Sequence, residues 1–250
     1  MSYVDLHCHL LPGVDDGARS WEDSLAYAKR MRQEGVRDVL VTPHVNRIWA
    51  LDPLSIPERV AELDDRLRRA GARLRLHAGA EVAHHRVADL ATRELKALAV
   101  GPADAPWVLL EAPFEGVDDG FLRAACELRA RRLGLVIAHP ERSPDIATGG
   151  LERLRPLLAE GAVLQVNVCS LLGNHGLAAQ EAAVRLLRSG LAYVLSSDAH
   201  PGTRDHTRPR RSGPSPGRST TASPNQEVGP PCRLVPSSSP CSSPSPLSWR

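Results

Sequence analysis

Short apolar runs alternate along residues 1–206 with stretches whose apolar positions recur every three to four residues. The runs are Tyr3–Leu6, Val36–Thr42, Leu74–Ala80, Trp107–Leu110, Leu133–Ala138, Val163–Val168 and Ala192–Ser196. They are short and rich in Val and Leu, the pattern of parallel strands buried on both faces. Successive runs begin roughly 30 residues apart, the size of a βαβ unit. Between them, Ser20-Trp21-Glu22-Asp23 resembles a capping box with Asp in place of Glu, and Trp21, Leu25, Ala28 and Met31 follow on one face. Gly35 supplies the stop. A second helix opens at Ser55-Ile56-Pro57-Glu58 with Val60, Leu63 and Leu67 as its stripe, and further helices are predicted over 83–98, 119–132, 151–160 and 177–189. Pro156 disturbs the fifth of these. Seven βα repeats predict an α/β fold, a closed or nearly closed (β/α)7 TIM-like barrel, with an open doubly wound sheet as the competitor. No Gly-rich dinucleotide fingerprint follows the first strand, which removes the main reason for the open sheet.

The pattern stops just after His206. Residues 207–250 hold 11 Ser, 10 Pro and six Arg against a single acid, Glu227, with no apolar period. Such a segment buries too little to repay the entropy of ordering, so a disordered tail is predicted there and a folded domain over 1–206. The split also resolves the charge. The chain carries 31 Lys+Arg and 29 Asp+Glu for a formal +2, but the body alone keeps 25 of the bases and 28 of the acids, a formal −3. An acidic body argues against a nucleic-acid partner, because the surplus positive charge lies in the tail. No apolar run approaches the roughly 18 residues that span a bilayer, and the N-terminus has neither a basic start nor an apolar core of a secretory signal. No membrane insertion is therefore expected. The cysteines are five and scattered, which fits a reducing cytoplasm better than a disulfide framework.

Metal-type side chains recur at the strand ends in every repeat except the sixth. They are His7 and His9 on the first, His44 on the second, Glu81 on the third, Glu111 on the fourth, His139 on the fifth, and Asp198 and His200 on the seventh. In a parallel barrel these positions open on one face, where active sites are built. The period of two puts both imidazoles of His7-Cys8-His9 on one side of the strand. Mixed imidazole and carboxylate ligands suit Zn, Mn, Fe or Co, and a carboxylate can bridge two ions. Close divalent ions activate water and clamp phosphoryl oxygens, so phosphate ester hydrolysis is the natural reaction class. Arg142, three residues after His139, is the candidate for holding two phosphate oxygens at once.

The stretches His7-Cys8-His9-Leu10-Leu11-Pro12-Gly13-Val14-Asp15-Asp16-Gly17, Thr42-Pro43-His44, His139-Pro140-Glu141-Arg142 and Ser197-Asp198-Ala199-His200 resemble the PHP superfamily. More narrowly, they resemble the bacterial manganese-dependent protein-tyrosine phosphatases of capsule and exopolysaccharide gene clusters. The similarity covers about residues 3–206, and the run through Gly17 is its most specific part. It implies a distorted (β/α)7 barrel of the PHP fold with three ions, Mn2+ foremost. His7, His9, Glu81 and Asp198 would hold one ion, and Glu81 would bridge to a second completed by Glu111 and His139. Asp16, His44 and His200 would hold the third, with Asp16 assigned by the resemblance alone. The implied substrate is phosphotyrosine on a protein, a bacterial tyrosine autokinase controlling polysaccharide export. The family continues past its Asp-x-His strand into a helical segment that closes the barrel. Here the Ser/Pro tail stands in its place, which implies uncovered apolar surface near the first and last strands. Arg204 is a further candidate for phosphate binding.

Other features are read more plainly. Cys126 to Arg132 matches the Cys-x5-Arg pattern of cysteine-based phosphatases but lacks the glycines of a phosphate cradle, so Cys126 is expected on a helix packed against the barrel. Cys8 and Cys169 are expected to be small buried apolar residues. His84 and His85 are expected on a solvated helix face, His77 in a structural role, His175 at the substrate mouth and Asn167 as a hydrogen-bonding support. The alternative functions are another PHP phosphoesterase, of the histidinol-phosphate or nuclease kind, and an inactive metal-binding remnant.

Overall fold

The structure is a computed structural model and describes residues 2–201. The segment predicted as a disordered tail, 207–250, and Arg204 lie outside the described residues. The strands are β1 (Tyr3–Cys8), β2 (Val36–Val41), β3 (His44–Val45), β4 (Arg75–Ala78), β5 (Glu81–Ala83), β6 (Trp107–Glu111), β7 (Gly134–Ala138), β8 (Val163–Asn167) and β9 (Ala192–Ser196). All their pairings are parallel. They form a three-stranded sheet, β1-β2-β4, and a six-stranded sheet, β3-β5-β6-β7-β8-β9.

The seven predicted runs thus become nine strands, because a further short strand, β3 or β5, follows just beyond the end of the second and of the third run. Thr42-Pro43 separates β2 from β3, where proline has no N–H to give a ladder. At the third, Gly79 lies against Leu40, whose Cδ1 would stand 2.9 Å from an added Cβ. Backbone bonds bridge both breaks, with Gly79 N donating to Val41 O at 3.0 Å and Glu81 N to Pro43 O at 3.1 Å. The end of β1 also bonds to the segment after β9: Asp198 N donates to His7 O and His9 N to Ala199 O, each at 2.9 Å.

The helices are α1 (Trp21–Gln33), α2 (Ile56–Arg69), α3 (Thr92–Leu98), α4 (Asp119–Ala130), α5 (Pro144–Ala147), α6 (Arg155–Ala159), α7 (Val168–Leu171) and α8 (Leu177–Arg188). Ser20 caps α1 by accepting from Asp23 N at 3.2 Å. Asp23 returns its bond to Arg19 N at 3.2 Å rather than to Ser20, so the box closes one residue early. Gly35 ends the helix at φ +94°. The buried face of α1 is Ser24, Tyr27, Ala28 and Met31. Trp21 and Leu25 pack only partly, and Trp21 lies under the Arg66 guanidinium at 4.3 Å. The α2 stripe is as predicted, with Val60, Leu63 and Leu67 buried. The expected helix over 83–98 is instead a 3-10 segment, His84–Asp89, followed by α3, and the one expected over 151–160 shortens to α6.

The core joins strand residues such as Val108, Leu110, Leu135, Ile137, Leu164 and Val166 to the helix faces. Val4 on β1 and Tyr193 and Leu195 on β9 are exposed. No helix among the described residues is long and apolar enough to cross a membrane.

Candidate metal centre

Strand ends deliver the candidate ligands. His7 lies within β1 and His9 just beyond it, while Cys8 between them is buried in the core. His44 opens β3 and pairs in register with Glu81, which opens β5. Glu111 ends β6, His139 follows β7, and Asp198 and His200 follow β9. Two of these residues hold left-handed backbone, His139 at φ +34° and Asp198 at φ +48°. Non-glycine residues adopt that region at a cost and do so most often at functional sites. At Asp198 the turn is held by Asp5, whose carboxylate accepts from Ser197 N at 3.0 Å and from Ser197 Oγ at 2.6 Å.

All nine sequence-predicted ligands fall into three overlapping groups of potential metal-holding atoms. They are His7, Glu81, His139 and Asp198; His9, Asp16, His44 and His200; and His44, Glu81 and Glu111. The tightest convergence joins the first two. His7 Nε2 lies 3.2 Å from His9 Nε2 and 3.2 Å from Glu81 Oε2, and His9 Nε2 lies 3.2 Å from the same oxygen. Asp198 Oδ1 lies 3.4 Å from His7 Nε2 and 3.5 Å from His9 Nε2. Glu81 faces a second neighbour with its other oxygen, Oε1, which lies 2.7 Å from His139 Nε2. Asp16 Oδ1 lies 3.4 Å from His44 Nε2 and 3.3 Å from His200 Nε2.

The outer nitrogens explain why the inner ones point inward. His7 Nδ1 lies 2.9 Å from Gln165 Oε1, His9 Nδ1 2.8 Å from Asp15 Oδ2, and His200 Nδ1 2.9 Å from the Asp198 carbonyl. Each of those oxygens only accepts, so each Nδ1 carries the proton and donates, which directs the Nε2 lone pair of the neutral ring into the cluster. Metal-binding imidazoles are oriented in this way. Two such lone pairs at 3.2 Å, with a carboxylate oxygen equally near, repel unless positive charge lies among them. A cation bonded at about 2.1 Å to four tetrahedral ligands sets them roughly 3.4 Å apart, which matches the spacing here. The donor set therefore fits a divalent transition ion.

The electrostatics state the same demand. Burial works against charge on His7, yet Glu81 and Asp198 lift its pKa from 6.5 to about 9. For His9 too, burial is overcome, by Asp15, Asp198 and Glu81, and its pKa stands well above the usual value. Burial and then the Glu81 charge push Glu111 up to about 8. Burial opposes ionisation of Glu81 and Asp198, but the surrounding imidazoles hold both well below the usual carboxylate range. Protons here occupy the place that a cation would take.

Sequence reasoning missed Asp15 and Gln165. Asp15 carries no predicted role, yet besides His9 it accepts from His44 N at 3.0 Å and Gly17 N at 2.9 Å. Gln165 gives its amide to Asn167 Oδ1 at 2.8 Å, and Asn167 Nδ2 donates to Asp198 Oδ2 at 2.7 Å. The signal available was a polar pair two residues apart at the end of an otherwise apolar strand. Asn167 takes the supporting role expected of it.

Arg142 lies at the rim, where its Nη1 donates to Asp198 Oδ2 at 3.2 Å. Its guanidinium lies 4.5 Å from the centre of the Phe114 ring. His175 is half-buried, with Nδ1 2.9 Å from Ser170 Oγ, and that hydroxyl donates to Glu141 Oε1 at 2.7 Å. The remaining candidates lie elsewhere. His77 is exposed on β4 beside Asp38, and His84 meets Phe121 edge-on at 6.2 Å. Cys126 is exposed on α4, not packed on the sheet, and Cys8 and Cys169 are buried.

Comparison with known proteins identifies the chain's family. The family model for capsular polysaccharide synthesis, CpsB/CapC, matches residues 3–212. The tyrosine-protein phosphatase YwqE of Bacillus subtilis is 32% identical over 200 residues, 79% of this chain and 77% of that protein. The tyrosine-protein phosphatase CpsB of Streptococcus pneumoniae is 24% identical over 205 residues, 79% of this chain and 82% of that protein. Among solved structures, one from work on YwqE and CpsB, described there as unique metal-dependent tyrosine phosphatases, superposes with a TM-score of 0.69 at 30% identity, covering 82% of this chain and 83% of that one. The chain therefore belongs to the CpsB/CapC family of capsular polysaccharide synthesis.

Proposed function

We propose that this protein is a metal-dependent protein-tyrosine phosphatase that hydrolyses phosphotyrosine on a bacterial tyrosine kinase of capsule or exopolysaccharide synthesis. The observation that carries the reading is the convergence of His7, His9, Glu81 and Asp198 within 3.2 to 3.5 Å, with the outer imidazole nitrogens of His7 and His9 tied to Gln165 and Asp15. The similarity to YwqE and CpsB supports the choice of phosphotyrosine among phosphate esters.

In this reading a distorted (β/α)7 barrel would hold three ions, Mn2+ foremost. His7, His9, Glu81 and Asp198 would hold one, Glu81 with Glu111 and His139 would hold a second, and Asp16, His44 and His200 would hold the third. When bound, such ions supply Lewis acidity that activates water and offsets charge on the phosphoryl group. The chain's own residues do the rest. Gln165, Asp15 and Asn167 keep the imidazoles and Asp198 oriented. Arg142 binds the phosphoryl oxygens through its planar fork, exchanging part of its bond to Asp198 for the substrate. Arg204 is a second such cation in this reading. The catalytic unit is residues 1–206, and 207–250 takes no part. The free thiols of Cys8, Cys126 and Cys169 suit a reducing cytoplasm.

The test is a metal analysis of the purified chain beside turnover of a phosphotyrosine peptide, histidinol phosphate and single-stranded DNA. We expect bound transition metal and preference for the peptide, with His7→Ala and His9→Ala each lowering turnover by at least about 100-fold. Activity that survives both substitutions sinks the metal mechanism. A folded, metal-loaded chain that hydrolyses none of the three is the inactive remnant.

A further inference from the structure

Phe114 is 44% exposed at the edge of the metal-type cluster. Its ring lies parallel to that of His139, with centroids 5.7 Å apart and planes 7° apart, and the Arg142 guanidinium lies 4.5 Å from its centre. The loop that carries it is fixed at both sides. The Ser143 hydroxyl donates to the carbonyl of Pro113, and Val117 N donates to Asp145 Oδ2 at 3.1 Å. An apolar ring is thus held between a candidate ligand and Arg142, whose guanidinium reaches Asp198.

The same ring borders a cavity of about 360 Å³, within the range of small-molecule sites. Its walls include Pro144, Ala147, Ala178 and His175, and its ionisable groups are Arg142 and Glu141, the latter fully buried with Oε1 accepting from Ser170 Oγ and Asn167 N. An apolar slot with a guanidinium at one end, bordered by the ring that stacks on His139, matches a flat apolar group bearing an anionic head. An alkyl phosphate would reach the charged end but leave the slot and the Phe114 ring in water. An aryl phosphate would cover both.

We propose that Phe114 makes this site prefer aryl over alkyl phosphate esters, the substrate's ring lying in the pocket against its exposed surface. The choice of a phosphoryl head group rests on the phosphatase reading; the preference for a ring rests on the pocket. The experiment measures binding rather than turnover. Phenylphosphonate and methylphosphonate are titrated calorimetrically into the full-length metal-loaded chain.

The expected result is roughly tenfold tighter binding of phenylphosphonate, the scale of one aromatic contact. Phe114→Ala removes that ratio while methylphosphonate affinity stays unchanged, and Phe114→Trp retains it. Ala178→Trp, which fills the slot from α8, also removes it. Equal affinities in the unaltered chain overturn the proposal. So does a Phe114→Ala variant that loses both ligands equally, since Phe114 would then serve only to position Arg142. Failure of the phosphatase reading looks different: the chain binds phenylphosphonate with the stated preference and turns over no phosphate ester.

Discussion

Asp15 and Asp16 are adjacent, chemically identical and differently employed. Asp16 turns one oxygen toward His44 and His200, whereas Asp15 accepts from His9 Nδ1 and from two backbone amides. Nothing in their residue type separates a ligand from a support, because the distinction depends on which atoms each carboxylate meets. Supports of this kind commonly contribute 10- to 100-fold to metal affinity. Asp15→Ala is therefore expected to weaken metal binding by roughly that factor, read by competition with a chelating dye, while the melting temperature with saturating metal changes little. Unchanged affinity would remove Asp15 from the centre. The other eight candidate ligands were legible for the opposite reason: their residue types and strand-end positions are local, and a period of two suffices to put His7 and His9 on one side.

At the scale of elements, Gly17 shows what the opening loop requires. A Cβ there would stand 2.3 Å from the His9 carbonyl oxygen and 2.5 Å from the His9 Cβ, so any side chain forces the loop off β1. The loop carries both Asp15 and Asp16. Gly17→Ala is expected to lower the metal content by one ion per chain, the one assigned to Asp16, His44 and His200, with far-UV circular dichroism unchanged. Full metal content by mass spectrometry would show that the loop yields without consequence. The long amphipathic helices α1, α2, α4 and α8 lay where their 3.6-residue period put them, since that period is written in consecutive residues. The breaks were less visible. Pro43 announces one, but Gly79 marks its break only through its approach to Leu40, a neighbour across the sheet. The residues over 83–98 have helical composition, yet Leu90 and Ala91 adopt extended backbone between two separate turns.

For the whole molecule, the centre ties together chain segments from β1 to beyond β9, so metal occupancy and folding are linked. The sign of the pH dependence follows from the shifts. In the metal-free protein His7 has its pKa raised to about 9 and His9 has its raised well above 6.5. The stabilising contribution of His7 is fully present below the unfolded value of 6.5 and is lost as pH rises through about 9, and His9 acts in the same direction. Glu111, raised to about 8, acts in the same direction, because a buried carboxyl that prefers its proton opposes folding once the unfolded chain has ionised. Glu81 and Asp198, held low, change nothing in that window. Metal displaces the same protons, so its binding strengthens as pH rises. The melting temperature of chelator-treated protein is therefore expected to fall between pH 6.5 and 9, and the gap to the metal-loaded protein to widen. A gap independent of pH would contradict this linkage.

From the sequence alone came the α/β alternation, the helix faces and the eight strand-end candidate ligands, together with the phosphoryl chemistry that their types imply; Asp16 came only from the family resemblance. These properties are local: side-chain identity, strand and helix period, and position at the end of an apolar run. Tertiary structure decided the rest. It added two short strands that bring Glu81 level with His44, tied His7 to Gln165 across 158 positions, gave Asp15 to His9, and held Phe114 beside Arg142 over an apolar slot. The physical reason is that a hydrogen bond or ring contact depends on where the folded chain carries each atom, and no period within one segment encodes a partner in another.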